Sequence, residues 1–435
     1  MKNIFSRRAF LRKGLLGAAG ISVLSRSRLF ARISANEKLN IGVIGVHNRA
    51  GDDLNGVSSQ NIVALCDVDD KFLTEAASRF PSAQTYSDYR RMLDRKDIDA
   101  VVIGTPDHTH AVATMAALKS GRHVYCEKPL AHTIAEVRAV TNEAHKRKLV
   151  TQMGTQIHAE SNYRRVVELI QSGAIGAVKE VHVWVGTSYG NVKIPVDAPP
   201  IPAGLHYDLW VGPVAFRPYH PEYLPFKWRD FWAFGGGALA DMACHHIDLP
   251  KWALDLGDPV SAEAEGPELN AETTPPWLIV RYQFPARKWA PGEMSKPAVK
   301  LTWYHGGKRP PHFAEGLLPK WGDGNLFIGE KGMLLADYSR HRLLPEKDFA
   351  GFVAPPKTIP ESIGHHNEWI EACKGRGTTS CRFDYAGPLT EAVLLGNVAY
   401  RTGKQLDWNS RGMLATNSRE AETFIQYHYR KGWSL

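Results

Sequence analysis

Leu39-Asn40-Ile41-Gly42-Val43-Ile44-Gly45 is a nearly unbroken apolar run, the pattern of a strand covered on both faces in a parallel sheet. Val46-His47-Asn48-Arg49-Ala50-Gly51 follows, and then a second such run, Asn61-Ile62-Val63-Ala64-Leu65-Cys66-Asp67, which stops on an acid. Strand, turn, helix, strand and acid is the order of a dinucleotide-binding βαβ unit. Asp67 comes 22 residues after Gly45, where a carboxylate meets a ribose 2′-hydroxyl and repels a 2′-phosphate. That favours NAD over NADP. The glycine fingerprint reads Gly45-x-His47-x-x-Ala50. Alanine is tolerated at its third position, but His47 stands where a glycine usually lets the backbone approach pyrophosphate. Arg49 could offset this by neutralising phosphate, or be a solvated first-turn side chain; Asn48 belongs to the same turn.

The alternation continues. A helix is expected over Asp70–Phe80 and a strand over Asp99–Gly104. Thr105-Pro106-Asp107-His108-Thr109-His110 opens a further helix, with Thr105 and Asp107 reading as capping residues. His123-Val124-Tyr125-Cys126-Glu127-Lys128-Pro129 is then a short strand that stops on a charged pair and a proline, which cannot donate to a ladder. One carboxylate and one amine are thereby delivered to the mouth of a sheet, where open α/β folds bind ligands. A helix over Ile134–Lys148 and a strand over Leu149–Met153 complete a doubly wound parallel sheet in residues 36–155.

Past Gly154-Thr155-Gln156 the rhythm changes. An amphipathic helix around Arg164–Ile170 leads to strand-like runs at Val178–Gly186, Trp277–Phe284, Val299–His305, Asn325–Gly329 and Met333–Asp337. Strands following strands predict an α+β domain with a large open, mostly antiparallel sheet over residues 156–435. Within it, residues 187–234 hold eight prolines and eleven aromatics. Such a segment either lines a site with rigid aromatic walls suited to the C–H faces of a sugar, or packs its own rings; Trp228, Arg229 and Trp232 are its candidate substrate contacts. Gly235-Gly236-Gly237 enters a helix on which Asp241, His245 and Asp248 share a face. A carboxylate four residues before an imidazole can orient it and stabilise its charged form; a helix-surface ion pair or a metal site of those three residues are the alternatives. The run Leu389–Arg401 predicts a helix packing back across the domain junction.

The formal charge of +8 invites a nucleic-acid reading, but its location removes it. Residues 1–35 carry 8 of the 53 basic residues and no acid, which leaves 45 basic against 45 acidic in the body, so no global field attracts polyanions. Ser6-Arg7-Arg8-Ala9-Phe10-Leu11-Arg12 precedes a short apolar run, Gly14–Leu24. This matches a twin-arginine export signal, an address read by the export machinery. Ala35 offers a cleavage point, with an uncleaved membrane anchor the alternative, and the mature protein is expected to be periplasmic or extracytoplasmic. The five cysteines include no CxxC; Cys66, Cys126 and Cys244 read as small buried hydrophobes, and Cys373 with Cys381 as a pair whose spacing permits a disulfide.

Glu127-Lys128-Pro129, Thr105-Pro106 with His110, Gly154-Thr155-Gln156, and Asp241-x-x-x-His245 after three glycines together resemble the Gfo/Idh/MocA family. The resemblance spans residues 39–410. It implies a Rossmann domain, a sheet domain used for dimer or tetramer formation, and NAD(P)-linked chemistry on the hydroxyls of sugars, cyclitols or glycosides. By the same match Lys128 contacts substrate and nicotinamide, His245 is the acid/base and Asp241 supports it, while Gly45, His47, Asn48, Arg49, Asp67, Thr105, His110, Glu127 and Gln156 surround the cofactor. No metal is implied. Export adds an expectation: a dissociable nicotinamide would be lost outside the cytoplasm, so it is held tightly and recycled. Glycoside cleavage or epimerisation through a keto-sugar, and a non-catalytic NAD-containing sugar-binding protein, are the rival readings.

Overall fold

The computed structural model describes residues 38–287 and 296–435; the expected export signal lies outside them. The first layer begins with β1 (Asn40–Ile44), α1 (Arg49–Gly56), β2 (Asn61–Cys66), α2 (Asp70–Arg79), β3 (Gln84–Tyr86), α3 (Tyr89–Met92) and β4 (Ala100–Ile103). α4 (Asp107–Lys119), β5 (His123–Cys126), α5 (Ile134–Arg147) and β6 (Thr151–Met153) complete it. The strands lie in the order β3-β2-β1-β4-β5-β6, and every pair is parallel. The order reverses between β1 and β4, which opens the ligand crevice of a doubly wound sheet beyond their carboxyl ends. Ile41, Val43, Val101, Val102 and Ile103 are wholly buried, as continuous apolar strands covered on both sides must be. α5 starts on a reciprocal cap in which Thr133 and Glu136 satisfy each other's amides.

α6 (Ser161–Gln171) leads into the second layer: β7 (Val178–Trp184), α7 (Tyr207–Val211), α8 (Gly237–His246), α9 (Asp248–Leu254), β8 (Ser261–Glu265), β9 (Ile279–Phe284) and β10 (Val299–Tyr304). β11 (Gly324–Gly329), β12 (Gly332–Ala336), β13 (His341–Leu344), α10 (His365–Cys373), α11 (Phe383–Thr402), β14 (Leu406–Asn409), β15 (Leu414–Ala415) and α12 (Glu422–Ile425) follow. The sheet runs β13-β12-β11-β7-β10-β9-β8-β14-β15, antiparallel except between β10 and β7. α11 packs on α5 and β6 on one side and on α8 and β8 on the other. It is buried nearly all round, so it fixes the first layer against the second.

Cys373 and Cys381 are both free and buried, so their spacing does not produce a disulfide. No helix among the described residues is long and apolar enough to cross a membrane.

Candidate active site

β1 is followed by Gly45, whose φ of +83° is left-handed. A Cβ there would come within 3.0 Å of the Gly104 carbonyl carbon and 3.2 Å of the Thr105 nitrogen, so the turns after β1 and β4 approach this closely only because Gly45 has no side chain. The Val46 amide donates to Asp67 Oδ2 at 3.0 Å and the Asp69 amide to Oδ1 at 3.0 Å. These bonds hold the acid at the end of β2, although burial pushes its pKa up. Gly45, Asn48 and Asp67 line a cavity of about 380 Å³ that also takes in the N-terminus of α1. First-turn amides have no intrahelical partner and suit a pyrophosphate. The turn, the helix end and the acid fit a dinucleotide such as NAD.

His47 and Arg49 of this turn also border the cavity. His47 is exposed and its ring lies flat on Phe72 of α2, centroids 3.7 Å apart. The side chain is accommodated by leaving the turn. Arg49, read as a phosphate partner or a solvated first-turn side chain, lines the cavity and is shared by carboxylates: Nε donates to Glu127 Oε1 at 3.2 Å, and ion pairs at 3.4 Å reach Asp52 and Asp53. Thr105 and His110 also border the cavity, with His110 bridging the carbonyls of Pro129 at 2.7 Å and Thr105 at 2.6 Å.

Lys128 lies one residue past Glu127 at the end of β5, before a cis bond to Pro129. Its Nζ donates to Asp241 Oδ1 at 2.6 Å and to the Asp241 carbonyl at 2.8 Å. Asp241 also accepts from the Tyr189 hydroxyl at 2.9 Å and pairs with Arg229 Nε at 3.3 Å. Burial would raise the Asp241 pKa, but Lys128 and Arg229 override it and hold the carboxyl well below its ordinary range. Burial likewise works against the charged Lys128, and the Asp241 carboxylate reverses it, so the Lys128 pKa rises.

Glu127 and Asp53 behave in the opposite way. Glu127 accepts from Arg49, from the Lys128 amide at 3.2 Å and from Gln156. Gly154 packs against it so closely that a Cβ would lie 2.2 Å from Oε1. Burial, then the charge of Asp53, pushes the Glu127 pKa up to about 7. Burial takes Asp53 to about 7 as well, despite Arg49; His366 Nε2 sits 2.9 Å from its Oδ1, and its Oδ2 has no partner. Gln156 does not border the cavity. Its Nε2 is spent on Glu127 and on the Tyr125 hydroxyl at 2.7 Å, so it positions the carboxylate.

The helix carrying Asp241 and His245 ends at His246, which separates Asp248 from their shared face. Asp248 opens α9 and faces His158 Nδ1 at 2.9 Å and the Tyr385 hydroxyl at 2.6 Å. Asp248, His158 and Cys381 each bring one ligand-type atom within 4.8 Å of the others, a buried group that includes neither Asp241 nor His245. Asp241 makes no hydrogen bond to His245, because Lys128, Arg229 and Tyr189 occupy its oxygens. The half-buried His245 ring leaves Nδ1 unpartnered. Burial, then the charge of Lys128, lowers its pKa well below the ordinary histidine value, which leaves a neutral base.

The aromatic segment packs its own rings and also lines the cavity. Tyr207, Trp210, Tyr223, Phe231 and Phe234 form their own small core, while Trp210, Tyr219, Phe226, Trp228 and Arg229 wall the cavity. Its backbone ties down over the acid end of β2, with the His206 amide donating to Val68 O at 2.8 Å and the Asp70 amide to Gly204 O at 2.9 Å. Arg229 stacks on Trp228 and Phe226, 4.1 and 4.7 Å from the ring centroids. Trp232 faces elsewhere and lines a second cavity. Sequence reasoning missed Tyr189, Asp53 and the cavity role of Asp107. Asp107 read as a helix cap, yet it is buried on the cavity wall and burial pushes its pKa up to about 7. Tyr189 was one aromatic among eleven, with no signal that set it apart.

Two family models match the chain: an oxidoreductase family NAD-binding Rossmann fold over residues 39–155, and an oxidoreductase family C-terminal alpha/beta domain over 160–287. Together they cover more than half of it. An inositol 2-dehydrogenase of Salmonella paratyphi B is 31% identical over 163 residues, 36% of this chain and 48% of that protein. A levoglucosan dehydrogenase of Pseudarthrobacter phenanthrenivorans is 27% identical over 199 residues, 46% and 44% of the two chains. The chain thus spans about half the length of the curated relatives it matches. Among solved structures, the WlbA dehydrogenase of Bordetella pertussis in complex with NADH and UDP-GlcNAcA superposes with a TM-score of 0.61 at 17% identity, covering 86% of this chain and 99% of that one.

Proposed function

The chain belongs to the Gfo/Idh/MocA oxidoreductase family, and from that premise we propose that it is an NAD-dependent oxidoreductase acting on a ring hydroxyl of a sugar, cyclitol or glycoside. The observation that carries the reading is the Lys128–Asp241 pair, 2.6 Å apart, beside a cavity whose other end is the Gly45 turn and Asp67. A bound NAD supplies the hydride acceptor. His245, neutral at pH 7, takes the hydroxyl proton on a ring nitrogen. Lys128, kept charged by Asp241, stabilises the alkoxide that develops. Arg229, Trp228 and Phe226 form the wall against which a ring is positioned.

The proposal extends to export and to a captive cofactor. The paired arginines at Arg7 and Arg8 support twin-arginine export to the periplasm. The bonds that fasten residues 204–206 over the end of β2, and the placement of Trp433 on the cavity wall, support tight retention of NAD. A retained cofactor needs a cycle with no net redox change: one sugar oxidised and another reduced, or one substrate oxidised, rearranged and re-reduced. The same sheet domain is proposed to form a homo-oligomer.

Native mass spectrometry of gently isolated protein tests the captive cofactor, with one NAD per chain expected. A panel of sugars and glycosides, followed by the absorbance of reduced nicotinamide, tests the chemistry. His245→Ala should lower the rate about 10²–10⁴-fold on the responding substrate. Normal turnover by that variant and by a Lys128 variant would overturn the assignment.

A further inference from the structure

A second cavity, of about 240 Å³, lies across the Gly235–Gly236 turn from the first and shares no lining residue with it. A Cβ on Gly235 would sit 3.1 Å from the ring of Trp228, so this turn and that ring form the partition. α11 supplies the floor through Leu394, Asn397 and Arg401, and the rim is the segment 423–428. Thr423, Gln426 and His428 of the rim are exposed, so the cavity opens to solvent.

Arg401 is the residue without an explanation. Its guanidinium carbon lies 4.1 Å from the centroid of Phe424 and 4.9 Å from that of Trp232. Among the described residues it makes no ion pair and no hydrogen bond. Burial lowers its pKa only to about 10, so it is a cation at neutral pH. A stacked guanidinium keeps its N–H edges free for bidentate contact, and a partly desolvated charge with no counter-charge is costly. No acidic residue lines the cavity, and two neighbouring carboxylates are engaged. Glu136 accepts the hydroxyls of Tyr427 at 2.8 Å and Tyr429 at 2.6 Å, and Glu272 pairs with Arg217 at 2.6 Å. A second observation points the same way. Asn397, only 7% exposed, spends Nδ2 on the Gly236 carbonyl at 2.9 Å and leaves Oδ1 unpartnered. His132 leaves Nδ1 unpartnered.

We propose that this cavity is a ligand site separate from the nicotinamide cavity, and that it takes a small ring bearing a carboxylate, such as a sugar acid. The carboxylate pairs with Arg401, the ring lies against Trp232, Phe424 and Tyr427, and its hydroxyls meet Asn397 Oδ1 and His132 Nδ1. The inference does not depend on the oxidoreductase reading, because neither Lys128 nor Asp67 takes part.

Calorimetric titration of the full protein with glucuronate, glucose and inorganic phosphate is the test. Glucuronate should bind saturably, and glucose about 10- to 100-fold more weakly, the worth of a charge-assisted contact. Arg401→Met should cost glucuronate the same factor. Asn397→Asp keeps the arginine and its stacking but places a resident carboxylate beside it, so it should abolish the same isotherm even if Arg401→Met fails to fold. Anion binding in the nicotinamide cavity would survive both changes. Unchanged glucuronate affinity in Asn397→Asp, or the absence of saturable binding to the unaltered protein, would overturn the proposal. Phosphate binding as tightly as glucuronate would overturn it in favour of a bare oxyanion site.

Discussion

Two groups of buried carboxylates flank Lys128, and they ionise in opposite ways. On the side of the second sheet, Asp241 touches two cations, Lys128 and Arg229. On the side of the first sheet, Glu127 and Asp53 share one guanidinium, that of Arg49. All three acids are buried, so desolvation opposes the charge of each. The number of cations in contact decides the outcome: Asp241 is held ionised, while Glu127 and Asp53 are both pushed up to about 7. Burial alone therefore does not fix the charge of an acid here. The result is a fixed cation in front of the cavity and a carboxyl pair behind it that can hold a proton.

The largest test of this contrast is Asp241→Ala. It strands Lys128 and Arg229 without their counter-charge and should destabilise the fold by about 3–5 kcal/mol. Urea unfolding measures it, and a loss under about 1 kcal/mol would mean that the two cations do not depend on Asp241. Lys128→Met removes the charge common to both sides. It should lower kcat/KM about 10²–10³-fold on the substrate found in the panel while NAD retention by mass spectrometry is preserved; loss of NAD along with activity would make Lys128 a cofactor anchor instead.

The smallest effect separates the two groups most cleanly, through pH. Asp53 has a folded pKa near 7, above the ordinary carboxylate value of about 4. Its contribution is fully present below pH ~4 and is lost as the pH rises through about 7. Asp241 has a depressed folded pKa, so its contribution is present above pH ~4 and is lost as the pH falls. Thermal melts of Asp53→Asn should accordingly gain on the unaltered protein as the pH rises from 4 to 7, whereas those of Asp241→Asn should fall short by a nearly constant amount over that range and by less below pH ~4. Parallel shifts of both variants across that range would show that the two groups are not set apart by their cations.

Much of this arrangement could be read along the chain. Periodicity placed β1, β2, β4 and β5 to within a residue or two, because strands buried on both faces leave a continuous apolar record. The acid at Asp67 and the Glu127-Lys128-Pro129 stop were visible because a charge at the end of an apolar strand is a local event. The glycine run before Asp241 was visible for the same reason. Asp241 on α8 did not reveal its partner: helical spacing put His245 beside it, but a cation 113 positions earlier in the chain makes the stronger contact and takes the carboxylate. Asp248 was misplaced because nothing local announces that the helix stops one residue short of it. Glu127 at the end of β5 engages both Gln156 and Arg49, a contact that no local pattern announces.

By itself, the sequence determined a parallel nucleotide-binding sheet followed by an antiparallel one, the acid for a ribose, and a lysine at a sheet mouth. Only the tertiary structure decided which acids are ionised, that Tyr189 and Arg229 complete the Lys128 pair, and that Arg401 stands without a counter-charge. The physical reason is range. Strand and helix patterns arise from neighbours a few residues apart. The ionisation of a buried group depends on every charge within several ångströms, and here those charges come from β5, α8 and the aromatic segment, which meet only once the two sheets have packed.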